Sequence, residues 1–342
     1  MRANCLLTLT LAFLASATLE GSLIVVSNNS PGDDFFTNPL GTAQGQAVGT
    51  SGWYYNNVRN SGGVGISSLL PWNATGSVYF SSPSGAAKAD IEYLPGAINL
   101  GGNYLAAGSL GRFADLQSLS YRWYRVGSST VAPHLHPVIR ILLDADGDLS
   151  TLGDRGGLVF ERIYVEPPGW TAPVNVWVPE TIGPGTYLWN FGLGIGLAAN
   201  INDTSYPYDA TLAQWQTYFP NAVIIGFNAG VGSGWNGSFT GGVDDISWTL
   251  GGASTTTNFE VYRVSEIPEP RTGLLAAAVV ALIALHRRRP RAVWSQSPPS
   301  GVATQHFSFA RRTHRHSSFL SGRSARRTGS PTRSDMLPSW AV

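Results

Sequence analysis

The sequence predicts an all-β fold, a jelly-roll-like β-sandwich, and three observations support this prediction. Charged residues make up only 13% of the 342 positions, and 40 glycines with 21 prolines disfavour a helical bundle. The 11 Trp, 13 Tyr and 14 Phe argue against a disordered chain. Short runs of β-branched and aromatic residues recur between clusters of Gly, Pro, Asn and Ser, as expected for strands joined by turns.

Nine segments fit the strand pattern. They are Gly76–Ser81, Ser118–Val126, Val138–Leu143, Leu158–Val165, Val174–Val178, Thr186–Phe191, Ala222–Phe227, Asp245–Leu250 and Asn258–Val264. In the second segment Leu119, Tyr121 and Trp123 alternate with polar residues, which predicts one buried and one solvated face. Val138–Leu143 is more continuously apolar and predicts a central strand, while Thr211–Tyr218 predicts a short helix.

The N-terminus has the features of an export signal, which we assign to residues 1–17. Arg2 supplies a positive start, Cys5–Phe13 is an apolar run, and Ala15–Ala17 offers small residues for a signal peptidase. Cys5 is the only cysteine of the chain, so cleavage after Ala17 leaves a protein with neither a disulfide nor a thiol nucleophile.

The C-terminal region combines three elements in a fixed order. They are Pro268, Glu269 and Pro270, then the apolar run Thr272–Leu285, then the cluster Arg287, Arg288 and Arg289. The prolines favour an extended, accessible backbone, which suits recognition by a processing enzyme. The apolar run predicts a short transmembrane helix, and the arginines predict that its far end stays in the cytoplasm.

This arrangement resembles the PEP-CTERM sorting signal of Gram-negative bacteria. The resemblance covers residues 265–291 and implies that an exosortase processes the protein at the inner membrane after signal peptidase has acted. It also implies a final location at the cell surface or in the extracellular matrix, commonly in hosts that make exopolysaccharide or biofilm. The likeness concerns sorting and carries no information about the activity of the remaining chain.

The two ends of the chain differ strongly in charge. Residues 18–267 contain 19 acidic and 9 basic residues, a net charge of −10, which disfavours nucleic acid as a partner. The segment 292–342 is rich in Arg and Ser and has no periodic apolar pattern, so we expect it to be disordered. Two interpretations of this tail stay open: a polybasic segment on anionic lipid, or a misread gene end. The predicted extracellular domain is thus 18–264.

Two groups of acidic residues are candidate Ca²⁺ ligands. Asp144, Asp146 and Asp148 alternate around a glycine, and carboxylates in such a turn can converge on Ca²⁺, with Asp154 as a further ligand. An ordinary solvated turn is the alternative. Residues 232–239, 243–246 and 258–260 resemble the closing strands of secreted bacterial jelly rolls, some of which bind carbohydrate. That resemblance implies that Asp244 ligates a structural Ca²⁺.

Glycan stacking is assigned to Trp170 and Trp235, because both lie in Gly-rich loops where a ring is more often accessible. Most other aromatic side chains are expected in the core. A nucleophile elbow, a phosphate loop and a dinucleotide fingerprint are all missing from the sequence, so we predict no enzymatic activity. Three functions remain: a non-catalytic surface or matrix protein that binds exopolysaccharide, a structural or adhesive protein without a glycan site, and a polysaccharide-active enzyme.

Overall fold

The computed structural model describes residues 21–203, 208 and 210–262, all of which lie in the compact unit Met1–Arg271. Within these residues the chain forms two large sheets and one α-helix, consistent with the predicted β-sandwich. None of the helices in this part of the chain is long and apolar enough to cross a membrane. The predicted signal peptide 1–17, sorting segment 265–291 and tail 292–342 lie outside the described residues.

The described residues contain eighteen strands and one α-helix, numbered in chain order. The strands are β1 Ser22–Ser27, β2 Phe36–Asn38, β3 Gln44–Ala47, β4 Trp53–Arg59, β5 Gly62–Ser67, β6 Ser77–Ser82, β7 Lys88–Tyr93, β8 Ile98–Leu100, β9 Asn103–Leu105, β10 Gly111–Arg112, β11 Leu116–Arg125, β12 Val138–Asp144, β13 Arg155–Phe160, β14 Trp177–Ile182, β15 Trp189–Gly192, β16 Val223–Gly232, β17 Phe239–Leu250 and β18 Ala253–Glu260. Helix α1 is Leu212–Tyr218, and 3₁₀ turns occur at Phe113–Asp115 and Arg162–Tyr164.

The first sheet has the order β1-β18-β17-β6-β5-β2, with β11 pairing both β14 and β17. β17 pairs β6 through its first half and β18 through its second half, so two strands share one of its edges. The second sheet has the order β15-β13-β12-β16-β7-β4-β3, with β10 beside β16. β8 and β9 form a separate hairpin, which lies against β4.

A core of aromatic and aliphatic side chains fills the space between the two sheets. The predicted alternation in β11 is confirmed: Leu119, Tyr121 and Trp123 are fully buried, while Ser120 and Arg122 face outward. β12 pairs β13 on one side and β16 on the other, which confirms the predicted central strand.

Several predicted boundaries were wrong by a few residues. β13 ends at Phe160 and a 3₁₀ turn follows, because the chain leaves the sheet there. β18 begins five residues before the predicted start, directly after the two-residue turn Gly251-Gly252. Both glycines have positive φ, the conformation that a tight hairpin turn of this kind requires.

The predicted helix is confirmed as α1. The Thr211 hydroxyl accepts a hydrogen bond from Gln214 N, and the Gln214 side chain accepts one from Thr211 N. This reciprocal capping box satisfies two backbone donors that the first helical turn leaves unpaired. Leu212 and Trp215 are buried, and the Trp215 indole donates to Leu188 O at 2.8 Å, so the helix is fixed to the sandwich.

Candidate functional site

The outer face of the second sheet forms a groove, here called the second-sheet cleft. Two adjoining cavities of 410 and 290 Å³ make up this groove, and they share four lining residues. The shared residues are Asn57, Glu92, Leu142 and Phe191. Further lining residues are Arg59, Lys88, Asp90, Arg140, Trp189 and Asn228 in one part and Asn56, Tyr104 and Arg155 in the other.

Strand β7 supplies the charged floor of this cleft. Its residues alternate, so Ala89 and Ile91 enter the core while Lys88, Asp90 and Glu92 point to the opposite face. These three charged residues are nonetheless at most 9% exposed. Charges with so little contact with water need partners, since an unpaired buried charge is strongly destabilising.

Asp90 is the centre of a buried ion-pair network. Its carboxylate lies 2.9 Å from Lys88 Nζ and 3.2 Å from Arg140 Nη1, and it accepts a hydrogen bond from Asn57 Nδ2 at 3.0 Å. Burial alone would raise the pKa of Asp90, but Lys88 and Arg140 outweigh it and hold the pKa below its usual value. Burial and Arg140 together lower the pKa of Lys88 to about 8.

Glu92 has a different environment, although it lies two residues away on the same face. Its two carboxylate oxygens accept hydrogen bonds from Asn56 Nδ2 at 2.5 Å and from Asn228 Nδ2 at 2.6 Å. Burial, with repulsion from Asp90, raises the pKa of Glu92 to about 7. The floor of the cleft therefore combines a fixed negative carboxylate with a second carboxyl group that titrates near neutral pH.

Aromatic rings form two walls of the cleft. Trp189 and Phe191 on β15 form one wall, and the Trp189 indole N–H has no acceptor among the described residues. On the other side the Tyr104 ring lines the cleft and packs on the Tyr54 ring, with the two ring centroids 4.4 Å apart. Hydrogen bonds between the Asn56 side chain and the Tyr104 backbone, at 3.0 and 3.1 Å, hold this second wall in place.

Arg59 provides a cationic group at the rim of the cleft. Its guanidinium contacts Asn57 and the Ser233 hydroxyl, and within the described residues it forms no ion pair. The cleft thus presents flat aromatic rings beside fixed hydrogen-bonding groups that carry positive and negative charges. Such a combination of apolar walls and a few oriented polar groups is typical of ligand sites.

The predicted Asp turn does bring carboxylates together. One oxygen each of Asp144, Asp146 and Asp154 lies within 4.8 Å of the others. Asp144 also pairs with Arg155 Nε at 3.1 Å and accepts from Gly147 N at 3.1 Å. Burial raises the pKa of Asp144, and Asp154 and Asp146 add to this rise while Arg155 opposes it.

Asp148 does not belong to this group. Its Oδ1 atom accepts hydrogen bonds from the Ser150 backbone N at 3.0 Å and the Ser150 hydroxyl at 2.7 Å, which lower its pKa. The side chain is thereby engaged in its own local turn. The candidate cation group in the structure is therefore Asp144, Asp146 and Asp154.

Asp244 lies in β17 where the pairing of that strand changes from β6 to β18. Its Oδ1 atom accepts from Asp245 N at 2.8 Å and Phe259 N at 3.1 Å, whereas its buried Oδ2 atom has no hydrogen-bond partner among the described residues. Burial raises the pKa of Asp244 to about 8, and Asp245 and Glu260 add repulsion. An acidic oxygen left unpaired in the interior is consistent with the predicted cation ligand or with a protonated carboxyl group.

The two tryptophans assigned to glycan stacking have different environments. Trp235 is only 8% exposed and packs edge-on against Phe239 at 5.2 Å, so it belongs to the core and offers little ring surface to a sugar. Trp170 is half-buried, and its ring contacts His136 edge-on at 6.1 Å and Arg162 at 5.9 Å. Neither residue lines the second-sheet cleft, whose residues the sequence analysis did not single out.

Comparison with known proteins gives matches among solved structures alone. No protein-family model and no curated protein matches the chain. One similar structure is a family 11 carbohydrate-binding module from a cellulosomal cellulase of Clostridium thermocellum, with 9% identity, coverage of 65% of this chain and 89% of that chain, and a TM-score of 0.29.

Two further solved structures are similar at the same level. A family 11 module from Clostridium thermocellum in complex with a β-1,3-1,4-mixed-linked tetrasaccharide has 10% identity, coverage of 64% and 98%, and a TM-score of 0.31. A β-1,2-glucanase from Parabacteroides distasonis has 16% identity, coverage of 65% and 26%, and a TM-score of 0.28. Similarity this low does not extend to function, which has to be argued from the residues of this chain.

Proposed function

We infer that the chain is an exported, non-catalytic protein that binds a polysaccharide in the second-sheet cleft. The observation that supports this is the cleft itself, in which ring walls stand beside a buried, hydrogen-bonded network. A sugar presents a C–H face, which packs on a flat ring, and hydroxyl groups, which need donors and acceptors. The Trp189 ring offers the first kind of contact, and the polar groups of Arg59 and Ser233 in the same lining offer the second.

The rigidity of the cleft floor favours binding. Asp90 and Glu92 are held by five partners, which lie on β4, β12, β16 and β7 itself, so little side-chain freedom is lost when a ligand arrives. Arg59 lacks an acidic partner among the described residues and is available to a ligand oxygen. Neutral and acidic polysaccharides are therefore both candidate ligands. The loss of affinity in Arg59→Ala distinguishes between them.

Affinity electrophoresis of the full chain in gels that contain neutral or acidic polysaccharide tests this function. Retardation is expected, with Trp189→Ala raising Kd at least tenfold and Arg59→Ala doing so chiefly for acidic chains. Tyr187→Ala is the matched control, because Tyr187 is 40% exposed and does not line the cleft. Retardation that Trp189→Ala leaves unchanged would show that the polysaccharide binds outside the cleft, and no retardation by any polysaccharide would favour the structural or adhesive alternative.

A polysaccharide-cleaving activity is the second candidate, and Glu92 is the observation that favours it. A carboxyl group with a pKa near 7 in a cleft is suited to general acid catalysis. Release of new reducing ends from a polysaccharide, lost in Glu92→Gln, would establish this activity in place of simple binding. Binding without any product favours the non-catalytic function.

Export and sorting complete the proposal. The terminal segments 1–17 and 265–291 would direct the chain through the inner membrane, with signal peptidase and an exosortase as transient partners, to the surface or matrix of a Gram-negative cell. A polysaccharide ligand is compatible with that location, since exosortase hosts commonly make exopolysaccharide. Ca²⁺ is the one cofactor that we propose, at Asp144, Asp146 and Asp154 and at Asp244.

A further inference from the structure

The outer face of the first sheet carries a row of rings that neither the cleft nor the core uses. Strand register places Trp177 of β14 opposite Tyr124 of β11, Tyr124 opposite Gly242 of β17, and Gly242 opposite Tyr79 of β6. Tyr79 in turn lies opposite Gly65 of β5. We call these five positions the outer aromatic row. It crosses five strands, a distance of about 19 Å at the usual strand spacing.

Gly242, at the centre of the row, has no side chain, so neighbouring rings can pack directly on the sheet. A Cβ atom built on Gly242 would lie 3.4 Å from the Trp177 ring, so this ring extends over the glycine of β17. Tyr124 and Trp177 have ring centroids 5.5 Å apart. The three rings of the row are half-buried, so each is held by packing and keeps part of its surface accessible.

Trp72 extends this row with an exposed ring. It is 38% exposed, lies 5.9 Å from Trp177, and its indole donates to Asp245 Oδ2 at 2.7 Å. The Arg122 guanidinium lies 4.2 Å from the Trp72 ring and also pairs with Asp245 at 3.1 Å. This triad fixes the orientation of an exposed ring, which lowers the entropy cost of binding.

Hydroxyl groups surround the rings on this face. A depression of 400 Å³ on one side of the row is lined by Ser120, Thr181, Ser247 and Thr256 together with the Arg122–Asp245 pair. A second depression of 360 Å³ lies where Tyr79 meets Phe35, whose rings are 6.0 Å apart. Hydroxyls donate and accept hydrogen bonds. Of the charged residues of the first depression, Arg122 pairs with Asp245, and Glu180 pairs with Arg162.

We propose that the outer aromatic row is a second carbohydrate-binding surface, which takes an extended, uncharged polysaccharide. Its half-buried rings match the C–H faces of such a chain, and the hydroxyls of Ser120, Thr181, Ser247 and Thr256 match its hydroxyl groups. The length of the row, about 19 Å, suits an extended chain. The surface lies on the sheet opposite the cleft and does not depend on the cleft function.

Sedimentation of the full chain with insoluble cellulose and insoluble β-1,3-glucan particles tests the proposal. The wild-type chain should bind at least one particle, and Trp177→Ala and Tyr124→Ala should reduce the bound fraction at least tenfold. Tyr187→Ala, outside both the row and the cleft, should leave this binding unchanged, and Trp189→Ala, in the cleft, should reduce it less than Trp177→Ala does. Loss in Trp189→Ala alone would assign the binding to the cleft and overturn the row while preserving the proposed function.

A measurement on the wild-type chain covers the case in which a row variant fails to fold. Bound particles should protect Trp72 and Trp177 from oxidation by N-bromosuccinimide, read by peptide mass spectrometry, and leave Trp170 as reactive as before. Absence of particle binding, or binding without this protection, would overturn the proposal. So would a dimer of the chain that Trp177→Ala dissociates, because the row would then be an interface between copies.

Discussion

Gly230 lies directly opposite Asp90 in the second sheet, and the Asp90 carboxylate occupies the space that a side chain of Gly230 would need. A Cβ atom on Gly230 would come within 1.8 Å of Asp90 Oδ1. The missing side chain on β16 thus makes room for a carboxylate on β7, which reaches both Lys88 and Arg140. One glycine thereby determines the geometry of the cleft floor.

Gly230→Ala should lower the free energy of unfolding by at least about 1–3 kcal/mol, the usual cost of overpacking, because the new methyl group displaces Asp90 from its ion pairs. Urea unfolding measures this change. Gly183→Ala is the control, since Gly183 has no atom within 4 Å of its virtual Cβ. Equal stability of the two variants would contradict the packing described for Asp90.

Asp244→Asn should remove a pH dependence from the stability of the protein. The pKa of Asp244 is raised from 3.8 to about 8, so the native state holds a proton that the unfolded state releases across that range. The contribution of Asp244 to stability should therefore fall as pH rises from about 4 to about 8, by up to about 1.4 kcal/mol per pH unit. The free energy of unfolding is measured with chelator at pH 5 and pH 8. Relative to the wild type, the variant should be more stable at pH 8 than at pH 5. A difference independent of pH would exclude a proton on Asp244.

Millimolar Ca²⁺ should raise the melting temperature by several degrees if Asp144, Asp146 and Asp154 hold the ion. A ligand at a hundredfold excess over its Kd adds about 2.7 kcal/mol to stability. Asp146→Asn should abolish the part of this gain that the group supplies, whereas Asp148→Asn should retain it, because Asp148 is engaged with Ser150. Scanning calorimetry measures the melting temperature with Ca²⁺ and with chelator. Identical melting temperatures in the two conditions would reject both Ca²⁺ sites.

Replacement of Pro268 and Pro270 by Ala should leave the protein in the inner membrane of an exosortase-bearing host. The proposed sorting requires the extended backbone that we expect the two prolines to favour, and without it the processing enzyme should no longer recognise the segment. Fractionation and immunoblotting measure the distribution, with Pro290→Ala, beyond the apolar run, as the control. Unchanged release of the double variant would show that the motif does not direct sorting.

A chain limited to residues 18–266 should fold without reducing agent into a β-rich monomer. It contains all eighteen described strands and lacks Cys5, the only cysteine. Far-ultraviolet circular dichroism and analytical ultracentrifugation test this expectation. A helical spectrum would be incompatible with the two-sheet architecture.

Sequence patterns predicted the strands whose inward side chains are large. β11 and β12 have such side chains, and both were located to within two residues. β5, with the sequence Gly-Gly-Val-Gly-Ile-Ser, was missed because glycine disfavours strands. Its Gly63 and Gly65 lie directly beneath Phe35 and the Asp34 backbone, so tertiary contacts override the local preference.

The cleft was missed for a related reason. Lys88, Asp90 and Glu92 were not singled out in the sequence, although their alternation with Ala89 and Ile91 has the period of a strand with one charged face. This period-two alternation was the sequence feature that could have identified the charged face of β7. The burial of the charges depends on partners from three other strands, β4, β12 and β16, which no local pattern reveals. Similarly, the Gly-rich surroundings of Trp235 suggested exposure, and only the tertiary structure shows that this ring packs on Phe239.

The parallel pairing of β1 with β18 has a consequence for biogenesis. Ser22 lies beside Thr255 and Ser27 beside Glu260, so the first strand finds its neighbour only when nearly the whole domain has been synthesised. Until then Leu23 and Val25 belong to an unpaired edge, which is a hazard for aggregation in a chain that grows from its N-terminus. The first sheet is therefore complete only when the whole domain has been synthesised. A truncated product that ends before β18 would leave the edge of β1 unpaired and accessible to proteases and chaperones.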